Sequence, residues 1–414
     1  MPQKKYEKIL VVNSGSSSLK FMLFSMISET ILAKGMVERI GTPSANLVYQ
    51  RSGEPKTEQI ISAENHGKAL AMACKMLADP KLGVIKNLKE VSAIGHRVVH
   101  GAEEFSDSTI VTEDVKTSIR KCSELAPLHN PPNLDGIVAC ETVFPQVPNV
   151  AVFDTAFHQS MPKHAFMYAL PQEYYDTYGI RKYGFHGTSH KFVSQAAADF
   201  LKRPLSELKL ITCHMGNGSS IAAISGGKVL DTSMGLTPLP GMIMGTRCGD
   251  IDPAIIFFLA RKGMTIDEID SVLNKKSGLY GINGIQSGDM RDTINARAQG
   301  KATAANAIEM FGHRTAFYIG GYYALLGGAD AIIFTGGIGE NSHPARKAII
   351  SRLEAIGCKL DDEKNEAAFG KQAVISTDNS KTPALVIPTN EELMIARETF
   401  RILADAMKKS EGKK

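Results

Sequence analysis

The chain has 414 residues, 43% of them hydrophobic and 22% charged, with 37 glycines and 18 prolines spread along its length. That length exceeds the reach of one hydrophobic core, so two domains of roughly 150 to 250 residues are expected, with no extended disorder away from the ends. Forty-seven basic against 43 acidic residues leave a net charge of +4, part of it in the tail KKSEGKK, and this gives nucleic-acid binding no support.

The first apolar run, Ile9 to Val12, is too short for a signal-peptide core, so nothing marks the chain for export. It continues into VVNSGSSSLKF at 11–21. After the loop, Leu19, Phe21 and Leu23 alternate with Lys20, Met22 and Phe24, the period-2 signature of a strand. The loop therefore joins strand to strand, and it lacks both the second glycine and the following helix of a GxxxxGK[ST] phosphate loop. Further on, TSHKFVSQAAADFLKRP predicts a helix with Phe192, Val193, Ala196, Ala197, Phe200 and Leu201 on one face and Pro204 as its stop. KLITCHMGNGSSIAAISGGKVLDTS at 209–233 repeats the opening plan: strand, loop of Gly, Asn and Ser, strand, Gly226–Gly227 turn, third strand.

Asn13 and Asn217 stand about half a chain apart. Two similar hairpins, each opening one half, suggest an internal duplication with paired loops facing a shared cleft. Small residues there let backbone N–H groups approach an anion, although a serine-rich turn without function would account for either loop alone. AIIFFLA at 254–260 is the longest apolar run and falls far short of the roughly 18 to 20 residues of a membrane span. ADAIIFTGGIGEN at 329–341 adds a third glycine loop after an apolar strand. TNEELMIARETFRILADAM opens at a T-x-x-E capping box, Thr389 to Glu392. It places Leu393, Ala396, Phe400, Leu403 and Met407 on one stripe, expected to pack back on the N-terminal domain. Strands alternating with helices make an α/β protein. Six cysteines (Cys74, Cys122, Cys140, Cys213, Cys248, Cys358) never fall in a CxxC or CxH spacing, which fits reduced thiols in a cytoplasm and no structural zinc.

Four polar residues stand where apolar runs stop, the place where open α/β sheets bind ligands: Arg97, Asp154, His186 and Arg247. A guanidinium among small and apolar neighbours suits a planar carboxylate or phosphate, or else a buried structural ion pair. Asp154 equally suits a turn cap, and His186 a structural histidine at a helix start.

NSGSSSLKF, HRVVHG, FDTAFH, YGFHGTSH, HMGNGSS, GDIDP, FTGGIGEN and PTNEE occur in this order across almost the whole chain, and together they resemble the acetate kinase family. The resemblance implies two duplicated ribonuclease H-like (actin-like ATPase) α/β domains with an inter-domain cleft. It implies an N-terminal lobe of 1–154 plus 389–414 on the acyl side, and a C-terminal lobe of 155–388 on the nucleotide side carrying dimerisation. The implied reaction is reversible in-line transfer of a phosphoryl group from ATP to acetate, giving acetyl phosphate and ADP, with Mg2+ or Mn2+ in a cytoplasmic homodimer without nucleic-acid or membrane partners. Arg97 then holds the acetate carboxylate, and Arg247 and His186 flank the phosphoryl group. Asp154 is an acid/base group in the family description. An ionised carboxylate nucleophile needs no base, so orienting an arginine or a metal-bound water is the preferred role.

By the same resemblance Asn13 and Glu391 are the metal pair, with helix capping the competing role for Glu391. Nucleotide contacts fall to Lys20, to His214, Met215, Gly216, Asn217 and Gly218, to Asp289, Met290 and Arg291, and to Gly337, Ile338, Gly339, Glu340 and Asn341. His129 matches another active-site histidine, and Val99, Leu128, Phe185 and Pro238 form the acyl pocket. Relatives preferring propionate carry a smaller residue at Val99, so valine favours acetate. A longer-chain carboxylate kinase and a nucleotide-switched protein of the same fold are the alternatives.

Overall fold

The computed structural model describes residues 5–411. The chain divides into two compact units, one taking the chain up to Phe157 and again from Asn390, the other running His158–Thr389. No helix among the described residues is long and apolar enough to cross a membrane.

The first unit holds strands β1 (Lys8–Ser14), β2 (Ser18–Ser25), β3 (Thr30–Glu38), β4 (Ala45–Arg51), β5 (Thr57–Ile61), β6 (Ala93–Val98), β7 (Thr109–Ile110) and β8 (Asn149–Phe153). They form one sheet in the order β5-β4-β3-β2-β1-β6-β8-β7. The second holds β9 (Lys209–Met215), β10 (Ser219–Ser225), β11 (Lys228–Thr232), β12 (Ala331–Thr335), β13 (Ala373–Val374) and β14 (Ala384–Val386), ordered β11-β10-β9-β12-β14-β13. In each sheet an antiparallel meander of three strands is followed, on the side of its first strand, by two parallel strands: β3-β2-β1 then β6-β8, and β11-β10-β9 then β12-β14. The hairpin duplication expected from sequence is thus a duplication of a whole five-strand plan.

The alternation in β2 sorts its side chains between the two faces of the sheet. Leu19, Phe21 and Leu23 join the core under helices α1 (His66–Leu77) and α2 (Asn130–Val143), while Met22 and Phe24 join the core on the opposite face. That opposite face is covered by the last helix, α7 (Glu391–Glu411), through Ile395, Ala396 and Leu403, with Leu393, Phe400 and Met407 half-buried at its edge. Ile395 and Leu403, fully buried, each contribute on the order of 1.5 to 3 kcal/mol by leaving water. The helix is capped by Asn390, whose side chain accepts from the Leu393 N–H at 3.0 Å, and not by Thr389 as the T-x-x-E pattern suggested. Thr389 is engaged instead by the Ser189 hydroxyl at 2.8 Å.

In the second unit α3 (Gly187–Leu201) packs on β9 and β12, and the long α5 (Ala302–Leu326) packs on β9 and β10. The buried face of α3 is Ser189, His190, Val193, Ser194 and Ala197. The apolar pattern had placed Phe192, Ala196, Phe200 and Leu201 there too, yet Phe200 is exposed. Polar residues won the interior because the sheet offers them hydrogen bonds, as described below. The helix stops at Leu201, with Lys202 and Arg203 between it and Pro204. The glycine segment after β12 is likewise not an open loop: Gly336–Asn341 forms the short helix α6.

Candidate active site

Each unit assembles its own polar cluster. In the first, Arg97 on β6 lies beside Asp154, the residue following the parallel neighbour β8, because the ladder pairs Val98 with Phe153 and the Asp154 N–H donates to the Val98 carbonyl at 3.0 Å. The Asp154 carboxylate is buried and accepts from Arg97 Nε at 3.1 Å and Nη2 at 2.6 Å. That carboxylate, with further help from Glu391 and Glu392, drives the Arg97 pKa upward against the cost of its burial. Glu391 opens α7 in the same neighbourhood. Burial pushes its carboxyl up to about 7; Arg97 opposes the shift, Asp154 and Glu392 add to it, and Lys20 opposes it. Lys20 is the exposed register partner of half-buried Asn13 across the β1–β2 hairpin. The buried Asp154 carboxylate pairs with the guanidinium, and the half-buried Glu391 carboxyl lies within its electrostatic reach without a bond to it. An amide oxygen and a carboxylate are suitable donors for Mg2+, an ion that keeps most of its waters.

The hairpin loop itself is braced from beneath. Asn133 of α2 donates to the Ser14 carbonyl at 2.7 Å and accepts from the Val99 N–H at 3.0 Å. His66, opening α1, bonds the Gly15 carbonyl at 2.7 Å. Val99 is buried, Leu128 is 70% exposed, and His129 is half-buried at the N-cap of α2. Phe185 and Pro238 belong to the second unit, the former buried and the latter half-buried.

In the second unit His186 precedes α3 with φ +58°, a left-handed conformation that is uncommon outside glycine and concentrates at functional positions. Its ring stacks on His214 at 4.2 Å between centroids. Arg247 lies in the irregular segment 233–253, between β11 and the next helix, and not at a strand end as the sequence pattern placed it. A Cβ at Gly218 would stand 3.4 Å from both Arg247 Nη1 and the His186 Cε1, so the absence of a side chain leaves room where these two side chains converge. Gly245 is needed for a different reason: a Cβ there would collide with the Asn217 side chain, and its N–H donates to the Asn217 carbonyl at 2.9 Å, pinning the arginine loop to the hairpin.

Arg247 has no carboxylate partner among the described residues. Its contacts are the Pro238 carbonyl at 3.5 Å and the Met244 sulfur at 3.9 Å, and burial lowers its pKa with nothing to offset it.

A cavity of about 1240 Å3 adjoins this cluster within the same unit. Gly216, Asn217, Asp289, Met290, Arg291, Gly337, Ile338 and Asn341 line it, joined by residues the sequence did not single out, notably Thr246, Ile294, Asn295, Pro344 and Phe369. Asp289 caps the helix α4 (Met290–Ala298) by accepting from the Arg291 N–H at 2.8 Å and also binds the Arg291 guanidinium. Of the rest of the expected nucleotide set, Lys20 belongs to the first unit, and His214, Met215, Gly218, Gly339 and Glu340 belong to the second without lining this cavity. Met215 is buried under Gly336 and Gly339. The Glu340 carboxylate accepts from the Gly336 N–H at 2.8 Å, the Thr389 N–H at 3.0 Å and the Thr335 hydroxyl at 3.2 Å, and so holds the short helix in place.

Arg346, also missed, is buried and gives its fork to the Gly339, Asn365 and Ala368 carbonyls at 2.7 to 2.9 Å. It reads as a surface residue in sequence because its partners are backbone oxygens that no motif displays. His190 carried a faint signal: it stands one helical turn after His186 in HGTSH.

A family model for the acetokinase family matches residues 8–397. The acetate kinase of Halothermothrix orenii is 54% identical over 397 residues, 96% of this chain and 99% of the relative. That of Caldicellulosiruptor saccharolyticus is 55% identical over 398 residues, again 96% and 99%. Among solved structures, Porphyromonas gingivalis acetate kinase superimposes with a TM-score of 0.92 at 43% identity, covering 96% of this chain and 100% of that one. A propionate kinase from Francisella tularensis gives 0.89 at 43%, with the same coverage. The chain therefore belongs to the acetokinase family.

Proposed function

We propose that the protein is an acetate kinase, transferring the γ-phosphoryl group of ATP reversibly to acetate. An acetate oxygen bonds to the γ-phosphorus as the bridging P–O bond breaks, and ADP leaves with the electron pair. Acetate is already ionised at neutral pH, so no base is required. The task is electrostatic: two anions must meet, and charge spread over the equatorial oxygens of the moving phosphoryl group must be neutralised.

The observation that carries this reading is the contrast between the arginines. Arg97, locked by Asp154, has a fixed fork with its remaining edge available to a second carboxylate, that of acetate. Arg247, half-buried without a counter-ion, is suited to an anion that arrives with the substrate. His186, beside Arg247, supplies a further donor to the phosphoryl oxygens. Asp154 orients Arg97 and is not needed as a base. Mg2+, or Mn2+, held by Asn13 and Glu391 would supply charge neutralisation on the nucleotide phosphates. The cavity lined by Asp289, Met290 and Ile338 takes the adenosine, Lys20 and the residues His214 to Gly218 serve the phosphates, and Gly339 and Glu340 support the wall. Val99, Leu128, Phe185 and Pro238 bound the methyl group, with His129 near the carboxylate. The first unit is the acyl side and the second the nucleotide side.

A homodimer is favoured by the helix Ala254–Arg261, which has no buried residue and exposes Ile255, Ile256, Phe257 and Phe258, more apolar surface than a monomer ordinarily leaves in water. Free cysteines, all but Cys248 buried, fit a reducing cytoplasm.

The propionate kinase of equal identity supports a second reading, a propionate preference. Hydroxylamine trapping of the acyl phosphate formed from ATP, Mg2+ and either acid decides among these. Hydroxamate from acetate with the higher kcat/KM supports the first reading; a clear propionate preference supports the second. No hydroxamate from either acid would favour a nucleotide-switched protein. Discrimination should stay within about 10- to 200-fold, because one methylene contributes only about 1 to 3 kcal/mol.

A further inference from the structure

We propose that Thr212, His190 and Ser220 form a positioning relay that fixes which ring nitrogen of His186 carries the proton, so that His186 presents an N–H to the transferring phosphoryl group. The inference deepens the kinase reading and takes the role of His186 from it.

The relay runs from β9 through α3 to β10. Thr212 Oγ1 lies 2.7 Å from His190 Nδ1, His190 Nε2 lies 2.8 Å from Ser220 Oγ, and Ser220 Oγ lies 2.9 Å from His186 Nδ1. Thr212, His190 and Ser220 are wholly buried. Burial, reinforced by His158 and His214, keeps His190 neutral, so it has one donor nitrogen and one acceptor nitrogen.

Two directions of donation are then conceivable, and they are not equivalent. Among the described residues Thr212 Oγ1 bonds only His190. If His190 donated from Nδ1 to Thr212, the threonine O–H would be buried without an acceptor, which is unfavourable. Donation in the other sense leaves no orphaned hydrogen. Thr212 donates to His190 Nδ1, His190 Nε2–H donates to Ser220, and the single Ser220 hydrogen goes to His186 Nδ1. The proton of neutral His186 is thereby placed on Nε2, the nitrogen that lies 3.5 Å from where a Cβ on Gly218 would stand, on the Arg247 side.

The stacked neighbour is set the opposite way. The Ser189 hydroxyl lies 2.8 Å from His214 Nδ1 and donates to Thr389 Oγ1 at 2.8 Å, so His214 must donate from Nδ1. The two rings over the hairpin thus carry opposite tautomers, each imposed by a serine.

The test uses the full-length protein with ring-15N histidine, read by two-bond 1H–15N correlation NMR, together with steady-state kinetics. In the wild type His186 should show its proton on Nε2 and His214 on Nδ1. Ser220→Ala should lower kcat about 10-fold with KM for ATP and acetate within about 2-fold, and should lose the single-tautomer signature of His186 while leaving His214 unchanged. His190→Leu should behave alike, whereas His190→Gln, which retains one acceptor and a donor at similar spacing, should recover most of the rate. A wild-type spectrum with the His186 proton on Nδ1, or a Ser220→Ala enzyme with undiminished kcat, overturns the relay. Failure of the kinase reading shows separately, as absence of hydroxamate from the wild type, and does not alter the spectrum.

Discussion

Arg97 and Arg247 look alike in sequence, each a lone guanidinium among apolar and small residues, and the structure treats them in opposite ways. Arg97 is bonded through two nitrogens to a buried carboxylate, and its charge is stabilised. Arg247 has only a distant carbonyl and a thioether, and its charge is destabilised. Even a half-buried cation without a counter-ion is costly to keep, so it persists where an anion is to be supplied from outside. In the proposed mechanism the paired arginine adds a second carboxylate to an occupied fork, the unpaired one meets charge that arrives with the reaction, and a carboxylate-to-phosphate transfer calls for this division.

Arg247→Ala should produce the largest change, a kcat lower by about 100- to 1000-fold at saturating acetate and ATP, with both KM values little altered. A coupled ADP-release assay measures it; a loss confined to KM would break the contrast. Arg97→Ala should act mainly on ground-state binding, raising KM for acetate by roughly 10- to 100-fold, as expected for a hydrogen bond between charged groups, and leaving KM for ATP alone. Asp154→Asn should move acetate KM the same way by less, since Arg97 keeps its charge and loses its anchor. If Asp154→Asn instead abolished turnover at every pH with acetate binding intact, Asp154 would be an acid/base group after all.

Specificity should respond more gently. Val99→Ala should shift the acetate-to-propionate ratio of kcat/KM toward propionate by about 10-fold, read from the same assay with both acids; no shift would remove Val99 from the acyl pocket.

The smallest effect concerns stability and involves neither arginine. His96, buried and 2.7 Å from the Asn149 amide oxygen, and buried His100 both have pKa values pushed down to about 4 by burial. The unfolded chain binds a proton on each near pH 6.5, and the folded chain does not, so stability falls as pH drops from about 6.5 toward 4. At pH 5.5 the loss should be about 1 kcal/mol for each histidine, and His96→Gln should flatten its share in urea melts at pH 7.5 and 5.5. An unchanged slope in that variant would mean that His96 is protonated in the folded state.

Much of this organisation was legible in the chain. The period-2 alternation around Leu19, Phe21 and Leu23 reports burial directly, and the matching hairpin at 209–233 revealed the duplication because small residues must recur where backbone approaches a ligand. What hydrophobic periodicity could not convey is the polar interior. His190, Ser189 and Ser194 occupy the buried face of α3, and for His190 and Ser189 the partners lie on β9 and β10, some 20 to 30 residues away. Arg346 was invisible for a similar cause, since backbone carbonyls leave no sequence signature. Thr389 was mistaken for a cap because Asn390, one residue later, competes for the same N–H groups, and the choice depends on the Ser189 contact.

The account rests on Arg247 favouring the phosphoryl group in transit over the bound nucleotide. The most direct measurement is calorimetric affinity for ADP alone and for ADP with Mg2+, aluminium fluoride and acetate, a planar mimic of the moving phosphoryl group, in the wild type and Arg247→Ala. The prediction is a loss of about 100-fold or more for the mimic and less than about 3-fold for ADP. Equal losses for both, or none for the mimic, would contradict it.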